Sequence, residues 1–221
     1  MSQPITHVIY DMDGLLLDTE SLNERVNGEI VQRYGKTFTT ELKIAIAGTT
    51  AIDSAQTIID TLEIPLTVEE YLAQRNKLLY PLYSTAKPFP GTVELIRHLA
   101  NRNVPQAIAT SSSRQNFEMK TVHHQDWLKY FELFTLGDDP EIDRGKPAPD
   151  IFLLTAQRLN ANPKNCLVFE DSLSGMKAAI AAGMSVAVVP DPVFDKELFA
   201  AADLVLNSIT EFDPTTIVAS D

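Results

Sequence analysis

The sequence predicts a doubly wound α/β protein, built on a parallel sheet and carrying an inserted helical domain. Three features predict it. From residue 87 to the C-terminus, short apolar β-favouring runs alternate with helical periodicity, the pattern of a parallel sheet covered on both faces. One similar run, Ile5 to Tyr10, stands alone near the N-terminus. Between them, residues 20–84 show helical periodicity and no strand pattern. The simplest organisation is an α/β core of residues 1–16 and 87–221 with a helical cap at 17–86.

The elements follow in order. Ile5 to Tyr10 is a strand that ends at Asp11-Met12-Asp13-Gly14. Leu22, Val26, Ile30 and Val31 share one face of a helix over 20–34, and Gly35 stops it. The same spacing recurs over 52–62 and 67–80. Lys87-Pro88-Phe89-Pro90-Gly91 reads as a connector. After it come a helix over 91–102, a strand over 104–110, a helix over 114–123 and a strand over 132–136. A helix over 149–159, a strand over 165–169, a helix over 174–183 and a strand over 185–189 follow. A helix near 194–202 and the short run Leu204 to Leu206 close the pattern.

The 221 residues carry a formal net charge of −12. That excess argues against a nucleic-acid polymer, whose phosphates are held by Lys and Arg, and against an anionic membrane surface. It leaves room for a small phosphorylated metabolite, provided cations meet the phosphate locally. Cys166, the single cysteine, lies in an apolar run and reads as a core residue in a reducing compartment. No apolar stretch reaches the length of about 18 residues that spans a bilayer. Met1-Ser2-Gln3-Pro4 lacks the basic and apolar regions of a signal peptide. The expectation is a cytoplasmic monomer.

In an open parallel sheet, ligands bind outside the carboxyl ends of the strands. The residues that follow the expected strands are Asp11 and Asp13, then Thr110-Ser111-Ser112, then Gly145-Lys146-Pro147, then Glu170 and Asp171. Carboxylates, hydroxyls and a lysine at one edge suit phosphoryl transfer. A carboxylate nucleophile divides phosphate-ester hydrolysis into two steps, and a second carboxyl moves the proton. Asp11 and Asp13, two apart in an extended chain, point the same way. Four carboxylates around a phosphate repel it unless a hard cation intervenes, and Mg²⁺ takes such oxygen ligands. Lys146 adds positive charge, and the 110–112 turn offers a hydroxyl and N–H groups.

These runs, Asp11 to Glu20, Ala109 to Ser112, Gly145 to Asp150 and Phe169 to Ser172, resemble the four motifs of the haloacid dehalogenase-like hydrolases, in the family's order. The resemblance covers essentially the whole chain, cap included. It implies Asp11 as nucleophile and Asp13 as acid/base. It implies Thr110, Ser111 and Lys146 at the phosphate, and Mg²⁺ held by Asp11, the Asp13 carbonyl and Asp171, with Glu170 close by or ligating through water. The substrate would be a nucleotide such as pseudouridine 5′-phosphate, a sugar phosphate or glycerol phosphate. Glu20, Asn23, Gly48, Thr49 and Thr50 of the cap would select it. A sugar-phosphate mutase is the rival within the family, but that branch carries a histidine where Asn23 stands and an arginine where Ala51 stands. A phospho-accepting receiver domain is the rival outside it; a receiver lacks both the cap and an acid two residues from the phosphorylated aspartate. Outside these motifs, Asp138 and Asp139 read as an acidic turn, His123 and His124 as surface residues, and Trp127 as core.

Overall fold

The computed structural model describes residues 4–218. Six parallel strands form one sheet: β1 (His7–Tyr10), β2 (Gln106–Thr110), β3 (Leu133–Leu136), β4 (Cys166–Glu170), β5 (Ser185–Val188) and β6 (Leu204–Val205). Their spatial order is β3-β2-β1-β4-β5-β6. The order reverses between β1 and β4, so the loops leaving those two strands diverge and open a crevice at the carboxyl edge.

Side-chain alternation sets the two faces. Val8, Tyr10, Ile108, Leu167 and Phe169 enter one core cluster, and Ile9, Ala107, Ala109, Cys166 and Val168 enter the other. Tyr10 stacks on Phe169 with ring centroids 5.3 Å apart, which ties β1 to β4 beside the crevice. The faces are covered by α5 (Thr92–Asn101), α6 (Arg114–Thr121), α7 (Gln125–Leu128), α8 (Asp150–Arg158) and α9 (Leu173–Ala181).

Before them in the chain come the cap helices α1 (Glu20–Gln32), α2 (Thr40–Ile46), α3 (Ala51–Leu62) and α4 (Val68–Tyr83). Threonines cap three of them: Thr39, Thr50 and Thr67 each accept an N–H from the first turn, and Thr67 with Glu70 completes a capping box. These helices enclose their own cluster, which includes Val26, Ile30, Ile58, Tyr71 and Leu79. The two connectors lie side by side, with Asp18 N–H donating to the Lys87 carbonyl at 2.9 Å and Phe89 N–H to that of Leu16 at 3.1 Å. Leu17 and Ala86 pack with the sheet cluster and not with the cap cluster.

The structure departs from the sequence expectation in four elements. Helices α2 and α7 are too short for periodicity to reveal; Thr39 and the chain around Trp127 set them locally. The helix expected near 194–202 is a single 3₁₀ turn, Lys196–Phe199, with Asp195 capping it. Helix α4 runs past Pro81 to Tyr83, beyond the expected end. Among the described residues, no helix is long and apolar enough to cross a membrane.

Candidate active site

β1 delivers Asp11 to the crevice as it ends, and the Asp11 N–H stays bonded to the Phe169 carbonyl of β4 at 2.9 Å. The Lys146 ammonium, from the loop before α8, donates to Asp11 Oδ1 at 2.6 Å, Glu170 Oε1 at 2.7 Å and the Ala109 carbonyl at 3.1 Å. All three side chains are buried. Burial raises the Asp11 carboxyl above its ordinary range; Lys146 opposes that, and Glu170 and Asp13 reinforce it. Burial would lower the Lys146 ammonium, but Asp11 and Glu170 outweigh it and raise it.

Asp13 faces different partners. Its Oδ1 accepts from Thr19 at 2.7 Å and from Lys120 at 2.6 Å; its Oδ2 accepts from Ser112 at 2.8 Å and Thr110 at 3.4 Å. Burial pushes this carboxyl up, but the Lys120 ammonium and the hydroxyls outweigh burial and hold it below its ordinary range. The two acids therefore share an edge yet answer to separate cations. Asp13 lies beyond the strand, bridged to Leu17, so the extended-chain spacing does not by itself aim it.

Glu170, expected close to the metal or ligating it through water, hydrogen-bonds to protein donors through both oxygens. Its second oxygen accepts the Asp171 N–H at 3.0 Å, the Ser172 N–H at 3.1 Å and the Ser172 hydroxyl at 2.9 Å. With Lys146 on the first oxygen, Glu170 anchors Lys146 and the start of α9. Asp171 is the opposite case. No donor among the described residues reaches its carboxylate, and burial, then Glu170 and Asp11, raises it well above the ordinary range. A side chain at Gly14, which sits at φ +80°, would place a Cβ 2.2 Å from Asp171 Oδ2. The half-buried Asp171 carboxylate, with Asp11 and the Asp13 carbonyl, offers a donor set that fits a hard divalent cation. Among the described residues, no three Asp, Glu, His or Cys groups converge on one point, so carbonyl, water or phosphate oxygens would complete the shell.

At β2, the Ser112 N–H donates to the Thr110 hydroxyl at 3.1 Å, and the helix that follows is capped by Ser113 and not by the 110–112 turn. Ser111 is exposed to a cavity of about 670 Å³ between cap and core. The cap contributes Glu20, Asn23, Gly48, Thr49 and Thr50 to that cavity. Asn23 donates to Glu20 at 3.0 Å and accepts from Arg75 at 2.8 Å. Gly48 lies against the start of α9, where a Cβ would stand 3.2 Å from Ser174 Oγ. Thr49 bonds Ser54 and Thr50 caps α3, so their hydroxyls are already engaged.

The sequence reading missed Lys120, Thr19, Arg75 and Lys43. Lys120 carried a signal: with Phe117 and Thr121 it lies on the buried face of α6, where a lysine needs a partner. Lys43 of α2 pairs with Asp191 at 2.7 Å and Glu24 at 3.1 Å, and α2 itself was not foreseen. His124 is not a surface residue; it bonds the Ala86 carbonyl at 2.9 Å and packs on Trp127, which is core. Asp138 and Asp139 form the acidic turn, held by the Arg114 N–H and by Arg158.

The fold and the site define a hydrolase of the doubly wound, capped kind. Residues 5–183 match the family model for haloacid dehalogenase-like hydrolases, and the chain belongs to that family. It is 42% identical over 215 residues to (DL)-glycerol-3-phosphatase 1, mitochondrial, of Arabidopsis thaliana, covering 95% of this chain and 72% of that one. It is 41% identical over 213 residues to the probable pseudouridine-5′-phosphatase of Drosophila melanogaster, covering 95% and 92%. The crystal structure of CbbY from Rhodobacter sphaeroides in complex with phosphate superposes with a TM-score of 0.72 at 27% identity, covering 94% of this chain and 96% of that one. The chain is an enzyme of the phosphoric-monoester hydrolase class.

Proposed function

We propose that the protein hydrolyses a small phosphomonoester in two half-reactions through an aspartyl-phosphate on Asp11, with Mg²⁺ as cofactor. The supporting observation is the separation of the two acids: Asp11 is buried against Lys146, and Asp13 is held independently by Lys120 and three hydroxyls. In the first half-reaction, an Asp11 oxygen attacks phosphorus, the bond to the leaving oxygen breaks, and Asp13 protonates that oxygen. In the second, Asp13 takes a proton from water, the water oxygen attacks phosphorus, and Asp11 and inorganic phosphate are released. The free site favours ionised Asp13, the form needed as base; a phosphate dianion nearby favours the protonated form, needed as acid.

Thr110 and the Ser111 backbone would hold phosphate oxygens, and Lys146 would take up charge developing on them. Asp11, the Asp13 carbonyl and Asp171 would hold Mg²⁺, which supplies positive charge between carboxylates and phosphate. The relatives' names support small phosphorylated substrates, and the cavity of about 670 Å³ has room for a nucleotide such as pseudouridine 5′-phosphate, a sugar phosphate or glycerol phosphate. Glu20, Asn23, Gly48, Thr49 and Thr50 would select among them. Transfer to water and not to a second sugar phosphate is supported by Asn23, whose amide is spent on Glu20 and Arg75.

A panel of phosphomonoesters assayed with Mg²⁺, with excess chelator and with Asp11→Asn tests this reading. Multiple turnovers are expected, abolished by chelator and by the substitution. Turnover in metal-free protein, or an Asp11→Asn variant as active as wild type, overturns it; a single labelling event without turnover would mark a receiver.

A further inference from the structure

We propose that Lys120 is a positioning residue for Asp13, fixing the carboxylate that exchanges the proton with the leaving group; the inference rests on the phosphatase reading above. Asp13 sits in the loop after β1, outside the sheet, and its side chain is 23% exposed whereas that of Lys120 is 6% exposed. Nothing in the sheet ladder fixes its torsions. Four donors do so, and three of them are hydroxyls that can turn to other acceptors. The fourth, the Lys120 ammonium, has little choice. A buried ammonium is costly unless paired, and Asp13 is the one carboxylate within ion-pair distance of it among the described residues.

The ammonium's other contacts close the clamp. It donates to Ser112 Oγ at 2.7 Å, and that same hydroxyl donates to Asp13 Oδ2 at 2.8 Å. Lys120 and Ser112 thus grip the two carboxylate oxygens from one side. The Tyr83 ring, from the end of cap helix α4, lies 4.7 Å from the Lys120 nitrogen and covers its outer side. Helix α6 supports the arrangement from below: Phe117 and Thr121 bury the face that carries Lys120. Among the described residues, Lys120 bonds Asp13 and Ser112 and not Asp11. Its effect on catalysis runs through Asp13.

Residues that act through the acid leave a signature in the leaving group. Phenolate, with a conjugate acid near the tyrosine value of about 10, needs protonation far more than 4-nitrophenolate does, and the two esters have nearly the same shape. Steady-state kinetics on phenyl phosphate and 4-nitrophenyl phosphate therefore test the proposal with purified full-length protein. General acid catalysis is worth roughly 10²–10⁴-fold. Lys120→Met is expected to lose about 100-fold in kcat/KM on phenyl phosphate and less than about 5-fold in kcat/KM on 4-nitrophenyl phosphate; kcat also contains the second half-reaction, which is the same for both esters. Lys120→Arg, which keeps the charge, should recover part of the loss on phenyl phosphate. Asp13→Asn should show the same bias, more strongly.

Equal losses in kcat/KM on both esters in a Lys120→Met or Lys120→Gln variant with wild-type circular dichroism and melting would overturn the proposal, as would no loss on either. If Lys120→Met does not fold, Lys120→Gln and Lys120→Arg carry the same comparison. An Asp13→Asn variant without leaving-group bias would instead sink the acid/base assignment, and an Asp11→Asn variant with full activity would sink the reaction scheme. The three failures are distinguishable.

Discussion

One methyl group placed at Gly175 should damage the site from behind. Gly175 is the third residue of α9, and Ser172 caps the helix by accepting its N–H at 3.1 Å. A Cβ built there would lie 1.8 Å from Glu170 Cδ and Oε1 and 2.2 Å from Oε2. A carboxylate at the end of a flexible side chain can usually step aside. This one is fully buried and accepts from Lys146, the Asp171 and Ser172 N–H groups and the Ser172 hydroxyl. Breaking a buried charge pair costs roughly 3–5 kcal/mol. Alanine returns about 1 kcal/mol of helix propensity over glycine. Gly175→Ala should therefore destabilise the protein by about 2–4 kcal/mol in urea unfolding. Lys146 loses its second anchor, so kcat should fall by about 10²-fold or more, the scale of losing one preorganised charge-stabilising group. A variant within about 1 kcal/mol of wild type and within 3-fold in kcat would show that Glu170 is not the anchor the geometry makes it.

Gly28→Ala is the control, since Gly28 lies inside α1 with open space where a Cβ would stand; thermal unfolding should show a gain of about 0.5–1 kcal/mol. Tyr71→Phe removes the buried hydroxyl that donates to Asn27 Oδ1 at 3.0 Å in the cap; it should cost about 1–2 kcal/mol in the same assay, and little of kcat if the cap only gates the site. Asp139 is held below the usual carboxylate range, chiefly by hydrogen bonds from Arg158. Its stabilising contribution is thus complete above the unfolded carboxylate value of about 4 and is lost as pH falls through the lower native value. The group is partly exposed, so Arg158→Ala should remove less than about 1 kcal/mol at neutral pH and flatten the acid limb of the stability profile.

Legibility in the sequence followed physical range. β1 was readable because Val8, Ile9 and Tyr10 are buried on both faces, which demands a continuous apolar run. The edge strand β6 was only a three-residue hint, and it is two residues long and half exposed. Asp11, Thr110, Glu170 and Asp171 were readable because each ends or directly follows a strand, where chain order alone places it at the carboxyl edge. Contacts between segments distant in sequence were not. Lys120 meets Asp13 across 107 positions, Arg75 meets Asn23 across 52 and Lys43 meets Asp191 across 148. Glu170 is the complementary case. Its charge and its place beside Asp171 suggested metal, and only the tertiary structure reveals that Lys146, Ser172 and two N–H groups use both oxygens.

The charge arrangement resolves how a chain of net charge −12 can admit a phosphate dianion. Four cations line the cavity: Lys43, Arg75, Lys120 and Lys146. Three are each paired with carboxylates, so their charge is largely spent within the protein. Arg75 has only the neutral Asn23 oxygen as a hydrogen-bond partner among the described residues. A guanidinium has five N–H donors in a fixed fork, so Arg75 retains capacity toward the cap side of the cavity, where a leaving group would lie. Among the described residues, the phosphate side has no free cation, yet it holds the unpaired carboxylate of Asp171. A divalent cation held by Asp171 and Asp11, as proposed, would correct that imbalance and leave positive charge over for the substrate. On the proposed reading the division would be by chemistry, with a metal ion for the group common to every substrate and an arginine for the part that differs.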